Sequence, residues 1–457
     1  MAPTLSIPGV YRRPQARAEG FPRVRTDVAG FIGAAGPRHL DEAFAVDDWK
    51  GYVAQYLGGV DPGTAGLDPV PGSTLAATLR SFFANGGRRA WIVNVAVAID
   101  GALAPSLLND MLGLGASLQP HGLELLLRQD EVSIVVLPDL HAEHLVQEDR
   151  FDPVDSRGDP CFGACARRGP AGAPADQRAE VRSTPQRLFG DAELLWAQRY
   201  VIERLQQQRW RWFALFAPPP GLAADAAVRW RERLTRGIEE TSDIAALYWP
   251  WVWQQSRPGA EEQLQSPLGA VAGIFAAVDL EAGPQAAPAN RLVSDAVALQ
   301  DPGVDDEANR LAYDAGVNVL RAFAGRGVQL WGARTLRWAN GQPGEGSLAF
   351  INARRCLSAI ARTAEVVGRP LVFEPSTTLL RIKLHQLMTD YLLRVFATGA
   401  LAGDSAEDGF FVNVDTVQDS AEGQLVCRIG VALAAPAEFI VFRLGREGGV
   451  IERAEGA

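Results

Sequence analysis

Few side chains in this sequence have types and spacings suited to chemistry. His141-x-x-His144 stands upstream of Cys161-x-x-x-Cys165, four residues of the kinds that bind zinc. The spacing matches no standard finger, and the segment that carries the cysteines is rich in Pro and Gly, so two surface histidines and two free thiols are the simpler expectation. Trp210 and Trp212, then Trp249, Trp251 and Trp253, alternate with period two. An aromatic row can stack on sugars or bases, but the same spacing arises when a strand turns one face into a core, and that reading is preferred. Glu239-Glu240 and Asp305-Asp306-Glu307 could pair as acid and base. They fall where helix surfaces or caps are expected, where a carboxylate is simply solvated.

Fixed catalytic templates fail outright. A phosphate-binding loop needs Lys followed by Ser or Thr after a glycine-rich turn, whereas Lys50 precedes Gly51 and Lys383 precedes Leu384. No Gly-x-Ser-x-Gly elbow is present, and the five histidines (His39, His121, His141, His144 and His385) form no His-Glu-x-x-His pair. No catalytic residue, cofactor-binding residue or metal ligand is therefore assigned. A chain of this size without a concentrated site reads as an assembly protein, not an enzyme.

With 457 residues, the chain needs two or three cores. Its 47% hydrophobic and 21% charged residues are ordinary for a globular protein. A formal net charge of -10 argues against gripping nucleic acid, which needs a basic surface. Four cysteines, Cys161, Cys165, Cys356 and Cys427, are too few for a disulfide framework, so reduced thiols are expected. The first ten residues show neither a basic nor an apolar signal region, and the apolar run Ala270 to Val278 is short for a membrane span. Folding in the cytosol is the expectation. Nearly all basic residues are Arg, only Lys50 and Lys383 being lysines, and Arg favours planar bidentate pairs.

The elements read as an α/β alternation. Val28 to Ala34 is a buried strand. Asp47 can cap a helix carrying Trp49, Tyr52, Val53 and Tyr56 on one side, and Ser73 a second with Leu75, Leu79, Phe82 and Phe83 facing inward. Asn85-Gly86-Gly87 ends that helix, and Ala90 to Ile99 and Val132 to Leu137 are strands. Arg150 to Ser183 has no periodicity and reads as a long surface loop. A helix from Phe189 to Gln208, a strand from Trp212 to Ala217, a helix from Ala223 to Glu240 and a strand from Ile244 to Trp249 follow. Beyond Thr335 the pattern restarts: helix Arg354 to Val367, strand Leu371 to Phe373, and a helix from Leu379 to Phe396 closed by Gly399. Strands at Phe410 to Val414, Gln424 to Ala432 and Glu438 to Leu444 complete it. The ends differ from the body. Ile7-Pro8-Gly9-Val10-Tyr11 is a short extended segment that cannot bury itself, and Gly445 to Ala457 is polar with an apolar island at Val450-Ile451.

Several segments form an ordered series. They are Pro8-Gly9-Val10-Tyr11, Thr26 to Gly33, Phe82-Phe83-Ala84-Asn85-Gly86-Gly87 running into Trp91-Ile92-Val93, Ala246 to Val252, Ser266 to Ala276 and Ala287-Pro288-Ala289-Asn290. Gly327 to Leu336, Ile351-Asn352-Ala353-Arg354-Arg355, Val372 to Pro375 and Ala437 to Arg443 continue it. Together they resemble, in the same order from residue 8 to residue 443, the tail sheath family of contractile phages, R-type bacteriocins and contractile injection systems. Ser266 departs from the family's usual Pro, and Arg150 to Ser183 matches no part of it.

The resemblance implies a mixed α/β, multi-domain sheath fold with an inner C-terminal α/β domain on the tube, an outer α/β domain, and extended arms at both ends. The expected boundaries are 1–22 for the N-terminal linking arm, 23–335 for the outer part with its 150–183 insertion, 336–444 for the inner domain and 445–457 for the C-terminal linking arm. It implies a subunit that polymerises helically around an inner tube and contracts to drive the tube through an envelope. Its partners would be copies of itself, the inner tube protein, and baseplate and cap or terminator proteins. Nucleic acid, direct membrane insertion and cofactors have no part, and the chain would sit in the cytoplasm before assembly into a tail-like particle, which release could carry outside the cell. A helical sheath needs head-to-tail contacts that do not close. Strands lent to neighbouring sheets by Ile7, Pro8, Gly9, Val10, Tyr11, Val450 and Ile451 would supply them. Gly20, Gly445, Gly448 and Gly449 would be the hinges. A sheath-like terminator or cap, or an α/β carbohydrate-active enzyme using the tryptophan rows, are the alternative readings.

Overall fold

The computed structural model describes residues 24–59, 70–95, 103–115, 119–149, 181–208, 210–255, 259, 261–301, 306–338, 347–375, 377–415, 425–436 and 438. The chain divides into two compact units, Arg25–Ala359 with Leu433–Ala457, and Ile360–Ala432 with Met1–Val24.

The larger unit opens with β1 (Ala29–Gly33), β2 (Ala43–Val46), α1 (Trp49–Tyr56), α2 (Leu75–Ala84), β3 (Ala90–Asn94), α3 (Leu107–Leu112), α4 (Gly122–Leu126) and β4 (Ile134–Val136). A ladder of β5 (Glu143–Asp149) and β6 (Val181–Arg187) follows, then α5 (Asp191–Gln206), β7 (Phe213–Phe216), α6 (Ala224–Thr235), β8 (Ala245–Trp249), β9 (Val252–Gln255) and β10 (Glu262–Gln265). The rest is α7 (Leu268–Glu281), β11 (Arg291–Leu292), β12 (Ala296–Leu299), α8 (Asp306–Asp314), β13 (Asn318–Phe323), β14 (Gly327–Trp331) and the start of α9 (Ile351–Gly368).

Nine strands form one sheet in the order β11-β14-β13-β8-β7-β4-β1-β3-β2. The six from β13 to β3 run parallel, with β2 antiparallel at one edge; at the other β14 is antiparallel to β13, and β11, antiparallel to β14, runs in the direction of the six. Every residue of β1, β4, β7 and β8 is buried, so both faces of the sheet are covered. Successive side chains feed different cores. Ile32, Val135, Phe216 and Leu247 pack with α3, α4, α5 and α6. Phe31, Val136, Leu215 and Tyr248 pack with α1, α2 and α7. β9 is the centre of a separate three-stranded antiparallel sheet between β10 and β12.

α7 is buried on nearly every side. It lies so close to α2 that a Cβ on Gly269 would stand 2.3 Å from the Thr78 carbonyl oxygen, and one on Gly273 2.4 Å from that of Phe82. Gly86, at a φ of 99°, ends α2 where an added Cβ would meet Ala277 at 2.8 Å. Only glycine permits this approach.

The smaller unit holds the end of α9, α10 (Thr378–Ala397), α11 (Ala406–Gly409), and β15 (Phe410–Val414) paired antiparallel with β16 (Cys427–Val431). Leu380, Leu384, Met388 and Leu392 line the buried stripe of α10 at four-residue spacing. Thr377 caps this helix by accepting from the Leu380 amide at 3.3 Å, and Gly399, with a φ of 74°, follows its end.

The mixed α/β architecture expected from the sequence is present, with five local corrections. Asp48, not Asp47, caps α1, accepting from the Gly51 amide at 2.6 Å, while Asp47 pairs with Arg89 at 2.8 Å. Ser73 is one residue outside the α2 N-cap, Thr74; its hydroxyl still accepts from the Leu75 amide at 3.2 Å while donating to Asp139. The helix from Ala223 stops at Thr235, because Gly237 takes a φ of 80° and a 3-10 turn fills Glu239–Ile244. Val181 to Ser183 belong to β6 and not to a loop; of the rest of that predicted loop, residues 150–180 lie outside the described residues. Leu371 to Phe373 is no strand, since Arg369–Leu371 is a 3-10 turn led by Pro370, and Phe373 sits at a φ of 71° that breaks extended pairing.

Candidate assembly interface

Ile7, Pro8, Gly9, Val10, Tyr11 and Gly20 lie outside the described residues, as do Gly445, Gly448, Gly449, Val450 and Ile451. The roots of both chain ends are described, and each is held by a buried arginine.

At the N-terminal root, Arg25 pairs in bidentate fashion with Asp27, at 3.1 and 2.6 Å. The Thr26 carbonyl accepts from Arg355 Nη2 at 2.9 Å and from the Ser133 hydroxyl. Arg355, in the first turns of α9, forks onto Asp279 of α7 with bonds of 2.7 and 2.6 Å. Burial pushes the Asp279 carboxyl up, opposed by the Arg355 charge and by hydrogen bonds from Thr26 and Arg355. The neighbouring Arg354 is fully buried against Asp243, at 3.3 Å.

At the C-terminal root, Arg334 lies between the rings of Tyr313 and Trp338, 3.6 Å from each centroid. It reaches Glu438 through Nη2 at 2.6 Å and Nε at 3.1 Å, and donates to the Tyr313 carbonyl at 2.6 Å. The Tyr313 hydroxyl also donates to Glu438. Burial raises the tyrosine pKa. Asn352 donates to the carbonyls of Gln285 and Ala434, at 3.1 and 3.2 Å.

The smaller unit presents a different surface. Val372, Phe373, Leu379, Ile382 and Leu393 are exposed, Phe373 completely. Among the described residues β15 and β16 pair only with each other, and Phe411 is 61% exposed on that ladder.

The residues weighed for chemistry are dispersed. Trp212, Trp249 and Trp251 are buried, and the Trp249 and Trp251 indoles donate to the carbonyls of Leu222 and Pro218, so these rings are core as expected. Trp210 departs from that reading: it precedes β7, is 44% exposed, and lies 5.1 Å from the Arg354 guanidinium. Glu239 and Glu240 start the 3-10 turn, and Asp306 and Glu307 start α8. The Gly237 amide bond to Glu239 is the main cause lowering that carboxyl's pKa. His141 is not a surface residue. It is buried edge-on to Trp251, 5.1 Å between ring centres, and desolvation lowers its pKa to about 3. Cys161 and Cys165 lie outside the described residues, and no group of three or more metal-binding side chains occurs among those described.

Open α/β sheets commonly bind ligands beyond the carboxyl ends of strands where the order reverses, here around β1. That place is filled by the chain's own hydrogen bonds. Buried Asp139 accepts from the amides of Ala34 and Thr74, both at 2.7 Å, and from the Ser73 and Thr74 hydroxyls. Asn94 accepts from the Ala35 amide and donates to the carbonyls of Gly36 and Arg38. Neither residue showed in the sequence pattern, because the type alone of a buried acceptor does not disclose its partners.

Residues 193–336 match the family model described as the phage tail sheath protein central domain. That stretch is similar to the central domain of phage tail sheath proteins. The matched region runs from α5 to the turn after β14 and contains the segments Ala246–Val252, Ser266–Ala276 and Gly327–Leu336. The sheath fold extends further. A chain of the anti-feeding prophage (AFP) baseplate in the contracted state superposes with a TM-score of 0.67 at 21% identity, covering 97% of this chain and 100% of that one. The AFP helical sheath in the contracted state gives 0.63 at 22% identity, over 97% and 100%. The PVC sheath complex of an extracellular contractile injection system, also contracted, gives 0.63 at 21%, over 98% and 99%. No curated protein matches the chain. Among the described residues no helix is long and apolar enough to cross a membrane.

Proposed function

We propose that this chain is the structural subunit of a contractile sheath, polymerising helically around an inner tube and shortening to drive it through a target envelope. The observation that carries this reading is the extent of the likeness: the sheath fold spans 97% of this chain and the whole of the AFP helical sheath chain. The filled crevice at the sheet's carboxyl edge fits a mechanical role, since the side chains that could receive a ligand there are committed to holding loops.

In this reading, residues 23–335 form the outer part, 336–444 the inner domain on the tube, and 1–22 and 445–457 the linking arms. A two-stranded ladder is marginal alone. The edges of β15 and β16, unpaired among the described residues and with exposed Phe411 beside them, suit strands lent by neighbouring copies. Baseplate and cap proteins would contact the ends of the polymer. A bias of about 1–2 kcal/mol per subunit, summed over roughly a hundred coupled copies, would exceed about 100 kcal/mol, so contraction needs no nucleotide site in this chain. Removing residues 1–20 tests the arms. The truncated chain should fold as a monomer and fail to polymerise; polymers of undiminished length would refute the arm reading.

A further inference from the structure

We infer that Arg355 and Arg334 are the two ends of a tension path inside each subunit, which carries load from the N-terminal arm to the C-terminal arm and is braced on the large sheet at β8. The inference rests on the arm reading above. Both arginines lie in short stretches, Gly332-Ala333-Arg334-Thr335 and Ile351-Asn352-Ala353-Arg354-Arg355, that otherwise have no role in the proposed function.

Each arginine grips one chain end. Arg355 holds the Thr26 carbonyl while its guanidinium is fixed on Asp279. Arg334 holds Glu438 while two rings and the Tyr313 carbonyl fix it from behind. These are charge-assisted, mostly bidentate bonds, about twice as strong as neutral ones.

The two grips are joined by backbone. The Thr335 amide donates to the Ala349 carbonyl at 2.8 Å and the Ile351 amide to the Ala333 carbonyl at 2.9 Å, so the segment carrying Arg334 is paired directly with the first turn of the helix carrying Arg355. The same junction is tied down by the Leu336 amide bond to Ala245 at 2.8 Å and by Arg231, which donates to the carbonyls of Leu336 and Trp338. Asn352, one turn from Arg355, holds Ala434 just before Glu438. From Thr26 to Glu438 the connection therefore runs through Arg355, the 349–351 and 333–335 pairing, and Arg334.

A buried pair that served packing alone could be replaced by apolar side chains at little cost. A grip on a chain end cannot, because the bond itself transmits the pull. The test uses the full chain carrying Glu438→Gln, which keeps the side-chain volume. Hydrogen exchange in the peptide spanning residues 433–438 should rise at least tenfold, with thermal unfolding moved by no more than a few degrees, and sheared polymers should break to shorter lengths than wild type. Tyr313→Phe, which removes only the hydroxyl bond to Glu438, should move both readouts in the same direction by less. Unchanged exchange in both variants overturns the inference, and so does raised exchange with unchanged polymer length. If removal of residues 1–20 leaves polymerisation intact, the arm reading itself fails, a result these point variants cannot produce.

Discussion

Replacing Gly273 by alanine sets two physical effects against each other. At an open helix position the change stabilises by about 1 kcal/mol, because glycine loses more backbone entropy on folding. In α7 the new Cβ would lie 2.4 Å from the Phe82 carbonyl oxygen and 3.0 Å from Asn85 Cβ. An ordinary carbon–oxygen contact is about 1 Å longer, so α2 and α7 must separate across a close-packed core. Overpacking of this kind costs about 1–3 kcal/mol. The net expectation is a loss of about 1–2 kcal/mol, and more for Gly273→Val. In urea unfolding followed by tryptophan fluorescence, that lowers the midpoint by about 0.3–0.7 M at an m-value of about 3 kcal/mol per molar. A Gly273→Ala midpoint equal to or above wild type would refute the claim that the helices touch through glycine.

Two further expectations follow from buried groups. His141 binds a proton near its ordinary 6.5 when unfolded but only near pH 3 in the fold. Its contribution is therefore full above pH 6.5 and is lost as pH falls from 6.5 toward 3, by roughly 5 kcal/mol at the limit. His141→Gln should flatten the pH dependence of stability in that window, and an unchanged slope would contradict its burial. Cys356 is 4% exposed and burial raises its thiol to about 12, so alkylation mapped by mass spectrometry at neutral pH should reach it only after unfolding; modification of Cys356 in the folded chain would contradict this.

Much of the body was legible because local pattern and tertiary environment agree. Ala-Gly-Phe-Ile-Gly and Ala-Ala-Leu-Tyr-Trp read as buried strands since both faces of a parallel sheet are covered. Gly86 after α2 and Gly269 and Gly273 of α7, which helped carry the family resemblance, are explained by one contact between those helices, while Gly87 leaves room for the Phe82 ring. The β5–β6 ladder was hidden by its polar sequence and by Pro185, which a strand tolerates mainly at an edge. Asp47 and Asp48 are equally good caps by type; their roles were decided by Arg89, which takes the first. Arg334, Arg354 and Arg355 were visible only as charges in family-like motifs. Their burial depends on Glu438, Asp243 and Asp279, which stand 76 to 111 positions away, and no local periodicity marks such partners.

Electron microscopy of the purified full-length chain tests sheath assembly most directly. Hollow, transversely striated cylinders are the expected result, formed without nucleotide, and lost when residues 1–20 are removed. A chain that stays monomeric at high concentration, with both ends protected against its own body, would contradict it.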